Sequence, residues 1–351
     1  MDVRDLLESA INNGASDFFI VVGRPICIRK QGIVKPLTQE KILPDTSNEL
    51  IQQIYDAARR DMKPFLESGD DDFSFAIPGL SRFRVNCFKQ RGTLSAVIRI
   101  ITFSLPSYED LGIPPYVMEL TNTNKGMILV TGPAGSGKST TLACMIDAIN
   151  KHQQKHIITL EDPLEFLHRH DQSIVSQREI SVDTSSYVTA LRAALRQSPD
   201  VILLGEMRDY ETINIAMTAA ETGHLLFSTL HTLGAANTID RIIDVFPANQ
   251  QRQIAVQLSM VLTAIISQQL VPGTDGSVVL ATEIMTVTPA IRNMIRDSKI
   301  PQIEGIVYSS AKEDMISMDQ SLLQLFQKGR ITKETALRYS TNPEMLERRL
   351  H

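Results

Sequence analysis

The reading of the fold starts at residues 127–140, Met127-Ile128-Leu129-Val130-Thr131 followed directly by Gly132-Pro133-Ala134-Gly135-Ser136-Gly137-Lys138-Ser139-Thr140. The first five residues form a short apolar run of the kind that makes a buried strand. The rest matches the spacing GxxxxGK[ST]. Its glycines let the backbone wrap phosphate oxygens with N–H groups pointing inward. Lys138 is spaced to reach the β and γ phosphates, and Ser139 offers a hydroxyl to Mg²⁺. A helix beginning near Ser139 turns its positive end toward the same place. The competing reading, a glycine turn that binds nothing, does not account for the strand before it and the helix after it.

Downstream, apolar runs alternate with helical stretches. Ile157–Leu160 precedes a helix around Tyr187–Gln197, and Val201–Leu204 precedes one over Thr212–Glu221. Leu225–Ser228 then precedes a helix over Ala235–Val245. This alternation implies a parallel, doubly wound sheet, whose ligands sit beyond the carboxyl ends of its strands. After about residue 250 the pattern is mostly helical, with one strand pair around Leu270 and Val278–Glu283.

Upstream, residues 1–103 read as a separate α+β domain. Val3–Ile11 has helical spacing, Glu49–Met62 is a second helix, and five strand-like runs lie between Phe18 and Ile101, with turn signals such as Gln31-Gly32 between several of them. Residues 104–116 carry three prolines and read as a linker to a third region, 117–351.

Composition narrows the function classes. The 351 residues suit two domains. Lys and Arg number 35 and Asp and Glu 40, so the net charge of −5 gives no basic field for nucleic acid. Cys27, Cys87 and Cys144 are far apart, which excludes a disulfide scaffold and a cysteine zinc site. No apolar stretch reaches 18 residues; Ile254 to Val271 is interrupted by six polar side chains. A transmembrane segment is not expected.

The other strands of the sheet also end in polar residues. Ile157–Leu160 leads into Glu161, Asp162 and Glu165; Val201–Leu204 into Gly205-Glu206; Leu225–Ser228 into His231, with His224 at the start of that strand. Glu206 is placed to orient and deprotonate water or to hold Mg²⁺ through water. Glu161 and Glu165 can organise Mg²⁺ waters or form a solvated turn around Pro163. A histidine beside a γ-phosphate can sense it by hydrogen bonding, although a lone histidine is more often structural. Arg84 and Arg99 lie on strands of the first domain. Most such arginines face solvent, but in a ring of subunits one can reach a neighbour's phosphate.

Together these motifs resemble the type II/IV secretion ATPase superfamily. The resemblance runs through GPAGSGKSTTLA (132–143), TLEDPLEF (159–166), ALRQSPDVILLGEMRD (194–209), ETGHLLFSTLHT (221–232) and TIDRIIDVFP (238–247). It implies a PAS-like N-terminal domain and a RecA-like P-loop ATPase domain with helices from about residue 285. It also implies ATP and Mg²⁺ as ligands and a cytoplasmic homo-hexamer, peripheral at the inner face of the membrane. Glu206 would be the catalytic carboxylate, with Glu161 and Glu165 in the Mg²⁺ and water network. His224 and His231 would form the histidine box, with His231 as phosphate sensor. Arg84 and Arg99 would reach a nucleotide across domains or subunits.

Ala290-Ile-Arg-Asn-Met-Ile-Arg-Asp297 resembles the AIRNLIRE motif of the pilus-retraction branch. The chain lacks the four-cysteine module of extension and secretion ATPases, and no added N-terminal domain is expected. Phe19 stands where the superfamily often has histidine. The resemblance implies a motor for pilus retraction whose partners are an inner-membrane platform protein and, indirectly, pilin. The competing functions are an extension or secretion ATPase and, from another class, a RecA-type nucleic-acid motor.

Overall fold

The computed structural model describes residues 2–30, 32–101, 105–310 and 314–350. The expected domain boundary at residues 103 and 104, and Gln31 of the expected Gln31-Gly32 turn, lie outside the described residues. Contacts divide the chain into one unit of Met1–Ser104 with Leu164–Leu167, and a second of Leu105–Pro163 with His168–His351.

The first unit contains α1 (Val3–Asn12), β1 (Asp17–Ile20), β2 (Cys27–Lys30), β3 (Ile33–Pro36), α2 (Pro44–Ala57), α3 (Lys63–Ser68), β4 (Asp70–Ile77), β5 (Ser81–Gln90) and β6 (Thr93–Ile101). Helix α1 begins where the Asp2 carboxylate accepts the Arg4 N–H at 2.7 Å. The helix expected over Glu49–Met62 is α2, which begins earlier, at Pro44, and stops at Ala57, with Arg59 at φ 53° just beyond its end. The sheet has the order β3-β2-β1-β6-β5-β4, antiparallel throughout. Alternation along β5 buries Phe83, Val85 and Cys87 in a core shared with Leu50, Ile51, Ile54 and Tyr55 of α2.

On the opposite face a charged row crosses the strands. Arg29 pairs in register with Asp17, Asp17 with Arg99, and Arg99 with Arg84. Directly opposed side chains share a face.

The second unit contains α4 (Pro115–Glu119), β7 (Gly126–Thr131), α5 (Lys138–His152), β8 (His156–Glu161), β9 (Ile174–Glu179), α6 (Tyr187–Ala194), β10 (Val201–Leu204), α7 (Tyr210–Glu221), β11 (Leu225–Leu230), α8 (Ala235–Asp244), α9 (Ala248–Val261), β12 (Leu262–Pro272) and β13 (Val278–Thr286). Five helices follow: α10 (Pro289–Arg296), α11 (Pro301–Ser309), α12 (Met318–Gln327), α13 (Lys333–Tyr339) and α14 (Pro343–Glu347). The sheet order is β13-β12-β7-β11-β10-β8-β9, parallel except for β13.

Strands β7, β10 and β11 are buried along their whole length, as a sheet covered on both faces requires. Residues 105–116, read above as a linker, belong to this unit; Ile113, 3% exposed, packs with Val117 and Leu120 against α5 and β7. Together the two units form an α/β protein of the expected class.

Candidate nucleotide site

Strand β7 ends at Thr131 and the chain turns at once into the phosphate loop. Gly132 is required by close approach: a Cβ there would lie 2.2 Å from the Gln268 carbonyl oxygen, at φ 140°. Gly137 closes the loop in the left-handed region and stands before α5 without a side-chain cap. The first-turn N–H groups of α5 are thus left for an acceptor beyond the helix end. The Lys138 ammonium, buried at the loop, donates to the carbonyls of Gly132 and Pro133, both at 2.9 Å. Ser136 Oγ is buried with no hydrogen-bond partner. An orphaned hydroxyl in a glycine-rich loop at a helix N-terminus fits phosphate oxygens. Ser139 and Thr140 are half-buried at the start of α5.

Glu206 follows β10, separated from β7 only by β11. Several bonds fix its backbone. Gly205 donates to the Leu160 carbonyl at 2.8 Å and accepts from Thr229 Oγ1 at 2.6 Å. Met207 donates to the Thr229 carbonyl at 3.2 Å. Gly205 stands where the commonest form of this motif has aspartate, and packing explains the glycine: a Cβ would lie 2.9 Å from Tyr187 Oη and 3.2 Å from the Leu160 carbonyl. The Glu206 side chain, 14% exposed, receives Arg208 Nη2 on one oxygen at 2.7 Å and faces His231 Nε2 from the other at 3.4 Å.

This pairing, through its hydrogen bond first and its charge second, raises the Arg208 guanidinium above its ordinary value. Burial, and then the negative field of Glu206, Asp162 and Glu161, pushes the Tyr187 phenol upward. The structure therefore adds Arg208 and Tyr187 to the residues expected here.

Glu161 ends β8, and its Oε1 accepts a long bond from Gln177 Nε2 on β9 at 3.5 Å. Glu165 is exposed and falls in Leu164–Leu167, the segment counted with the first unit. His224 is not gathered with His231. It precedes β11, at the strand's amino end, where Nδ1 contacts the Ala219 carbonyl at 2.9 Å and closes α7. Six residues of β11 carry the chain about 20 Å to the other edge. A histidine box split between both ends of one strand does not converge on one phosphate within the subunit.

Arg84 and Arg99 lie side by side in the first unit; Arg84 Nε is 3.7 Å from Asp72 and Arg99 Nε 3.4 Å from Asp17. Among the described residues, no group of three or more His, Cys, Asp or Glu side chains is arranged to hold a metal unaided. Mg²⁺ is ordinarily held by one or two carboxylates together with phosphates, and the Ser139 hydroxyl and the Glu161 and Glu206 carboxylates are donors of that chemistry.

The pattern of the type II/IV secretion system proteins matches residues 1–349. The chain belongs to that family. Within it, the chain is 44% identical over 345 residues to the type IV pilus retraction ATPase PilT of Pseudomonas aeruginosa, covering 98% of this chain and 99% of that one. It is 44% identical over 344 residues to a twitching motility protein of Neisseria gonorrhoeae, covering 97% and 91%. A crystal structure of the pilus retraction motor PilT with bound ADP superposes with a TM-score of 0.89 at 45% identity, over 99% of both chains. As a family member the chain is a nucleotide-binding secretion-type ATPase.

Proposed function

We propose that this chain is one subunit of a homo-hexameric motor that hydrolyses ATP to ADP and phosphate and thereby drives retraction of a type IV pilus. The observation that carries the chemistry is the Glu206 carboxylate, set at a strand end beside the phosphate-loop sheet and gripped between Arg208 and His231. The direction of work rests on the end-to-end likeness to a retraction ATPase.

In this reading the loop N–H groups and Lys138 hold the β and γ phosphates. Glu206 orients the attacking water and takes its proton. Arg208 holds that carboxylate in place, while His231 would hydrogen-bond phosphate and report the nucleotide state. Ser139, Glu161 and Glu206 would hold Mg²⁺, the carboxylates through water; bound Mg²⁺ supplies neutralisation of charge on the phosphates. Arg84 and Arg99 project from an open sheet face and would meet a neighbouring subunit's phosphates only in the ring.

The motor would act from the cytoplasmic side on an inner-membrane platform protein and through it on pilin. Among the described residues no helix is long and apolar enough to cross a membrane. The deciding experiment measures ATPase activity and native mass of the purified chain, together with pilus retraction in cells lacking it. A chain that hydrolyses ATP while its loss leaves retraction intact and stops pilus growth would move it to the extension branch.

A further inference from the structure

Three consecutive polar residues interrupt β12 at its most buried point. Ser267 and Gln268 are fully buried and Gln269 is 9% exposed, in a strand otherwise apolar from Ala264 to Val271. Burying three polar side chains in a row is costly unless each has a specific partner. Each has one, on a different element. Ser267 Oγ accepts the Gly234 N–H at 2.9 Å, in the loop just after His231. Gln268 Nε2 donates to Thr141 Oγ1 at 2.8 Å, on the first turn of the phosphate-loop helix α5. Gln269 Nε2 donates to the Tyr339 carbonyl at 3.2 Å, at the end of α13.

The register explains why one strand reaches all three. The pairing of β12 with β7 ends at Ser267 opposite Thr131, while its pairing with β13 continues to Pro272. Residues 268–272 therefore run beyond the end of β7, paired with β13, and Gln268 lies against the phosphate loop. Alternation puts Gln268 on the α5 face and Ser267 and Gln269 on the other. The Gln268 main chain also touches the loop, since its carbonyl occupies the space that a Cβ on Gly132 would need. Finally, Gln268 Oε1 is buried without a partner. An amide held at only one end, wedged against a loop that must close on phosphates, is suited to two arrangements and is a poor brace.

We propose that Gln268 is a positioning residue for the phosphate loop and that, through Ser267 and Gln269, β12 carries the nucleotide state of that loop to the segment after His231 and to the C-terminal helix α13. This rests on the nucleotide-binding reading of the loop, and no step of hydrolysis is assigned to Gln268. Coupling of this kind requires an element that both sites bias, and the short overhang of β12 touches both.

The test uses the full-length protein and two readouts: ADP affinity by titration calorimetry, and amide hydrogen exchange of residues 333–339 with and without ADP. Gln268→Met keeps the length and removes the amide; ADP affinity is expected to fall about tenfold, as for loss of one buried bond that orders a binding loop. Thr141→Val removes the same bond from the other side and is expected to give a similar loss. The double variant should be no worse than either alone, because coupled residues are not additive. Gln269→Met should bind ADP as the wild type does, yet lose the slowing of α13 exchange that ADP produces in the wild type.

Lowered melting temperatures with ADP affinity within twofold, in either loop-side variant, would reduce Gln268 to structural packing. An α13 that responds equally to ADP in Gln269→Met, or not at all in the wild type, would overturn the relay. Wild-type protein that binds ADP but does not hydrolyse ATP would defeat the motor reading and leave this inference to stand or fall on the affinities. Wild-type protein that binds no nucleotide would defeat both.

Discussion

Arg208 Nη2 lies 2.7 Å from Glu206 Oε1, while the other oxygen of the same carboxylate faces His231 Nε2 at 3.4 Å. The arginine is largely exposed and the glutamate largely buried. A flexible surface cation thus holds a confined carboxylate from outside, and the carboxylate is aimed by its neighbours as well as by its own strand. Glu206→Gln keeps size and hydrogen bonding but cannot take a proton. Its hydrolysis rate should fall about 10²–10⁴-fold with ATP binding retained, measured by single-turnover kinetics beside nucleotide titration. Wild-type turnover would assign the base role to another acid.

Arg208→Ala should have a smaller effect of the same kind. The backbone that carries Glu206 keeps its position through Gly205 and Thr229, but the carboxylate loses one of its two grips. A fall in kcat of about tenfold with little change in KM is expected for an orienting group. A change in KM alone would place Arg208 at the nucleotide instead.

Lys138→Ala should abolish nucleotide binding and leave the fold in place. The ammonium holds the Gly132 and Pro133 carbonyls of the loop, a turn that serves a ligand and not the apolar core. Circular dichroism and calorimetry separate the two effects. Detectable ADP affinity at wild-type strength would remove the phosphate-loop assignment.

The two arginines of α10 are not equivalent. Ile291 and Ile295 are fully buried and Met294 packs beside them, as helical spacing predicts. Arg292, however, donates from Nε to the Ser259 carbonyl near the end of α9 at 2.9 Å, whereas Arg296 reaches only the adjacent Asp297 at 3.5 Å. Arg292→Ala should therefore lower stability by about 1 kcal/mol, and Arg296→Ala by less than about 0.5 kcal/mol. Both should leave ATPase activity largely intact while impairing retraction. Denaturant unfolding and a retraction assay check the two halves of this expectation.

Glu283 bears on stability against pH. It is half-buried, and burial raises its carboxyl above the ordinary value even though the backbone N–H groups of Ala235 and Met318 pull it down. The Ala235 contact is 2.7 Å. A carboxyl raised in the folded state binds more protons folded than unfolded, so its stabilising effect is complete below the unfolded value. That effect is lost as pH rises through the folded value. Glu283→Gln should remove this fall from the stability profile above the ordinary glutamate range, read from melting temperature against pH. An unchanged slope would show that another group dominates.

Much of the second unit was legible because its central strands are continuous apolar runs between helices, the pattern of a sheet covered on both faces. Val201–Leu204 and Ile157–Leu160 announce themselves. Strand β9 does not: Ile174-Val-Ser-Gln-Arg-Glu179 is half polar because it forms an edge, with Ile174 exposed. The start of β12 was hidden too, since α9 ends at Val261 and the strand begins at Leu262 with no glycine or proline between them. In the site, residues supplied by strand ends and by the glycine loop could be read from order alone. Arg208, Tyr187 and Gln268 could not. Their meaning depends on which side chains meet across the sheet, and Gln268 and Thr141 are 127 residues apart.

The facing arginines on the first unit's sheet have a further consequence. Arg84 and Arg99 stand directly opposite each other, with Arg29 in the same row and Asp17 and Asp72 close to the pair. Like charges placed so repel, and in water that repulsion reaches no further than the ionic atmosphere, about 8 Å at physiological strength. This face should therefore lose less on adding salt than an ordinary ion-paired surface, because ions weaken the Arg84–Arg99 repulsion along with the two ion pairs. Dissolved anions do diffusely what one well-placed phosphate does at a point, so a subunit kept in dilute buffer is the form most eager to accept one.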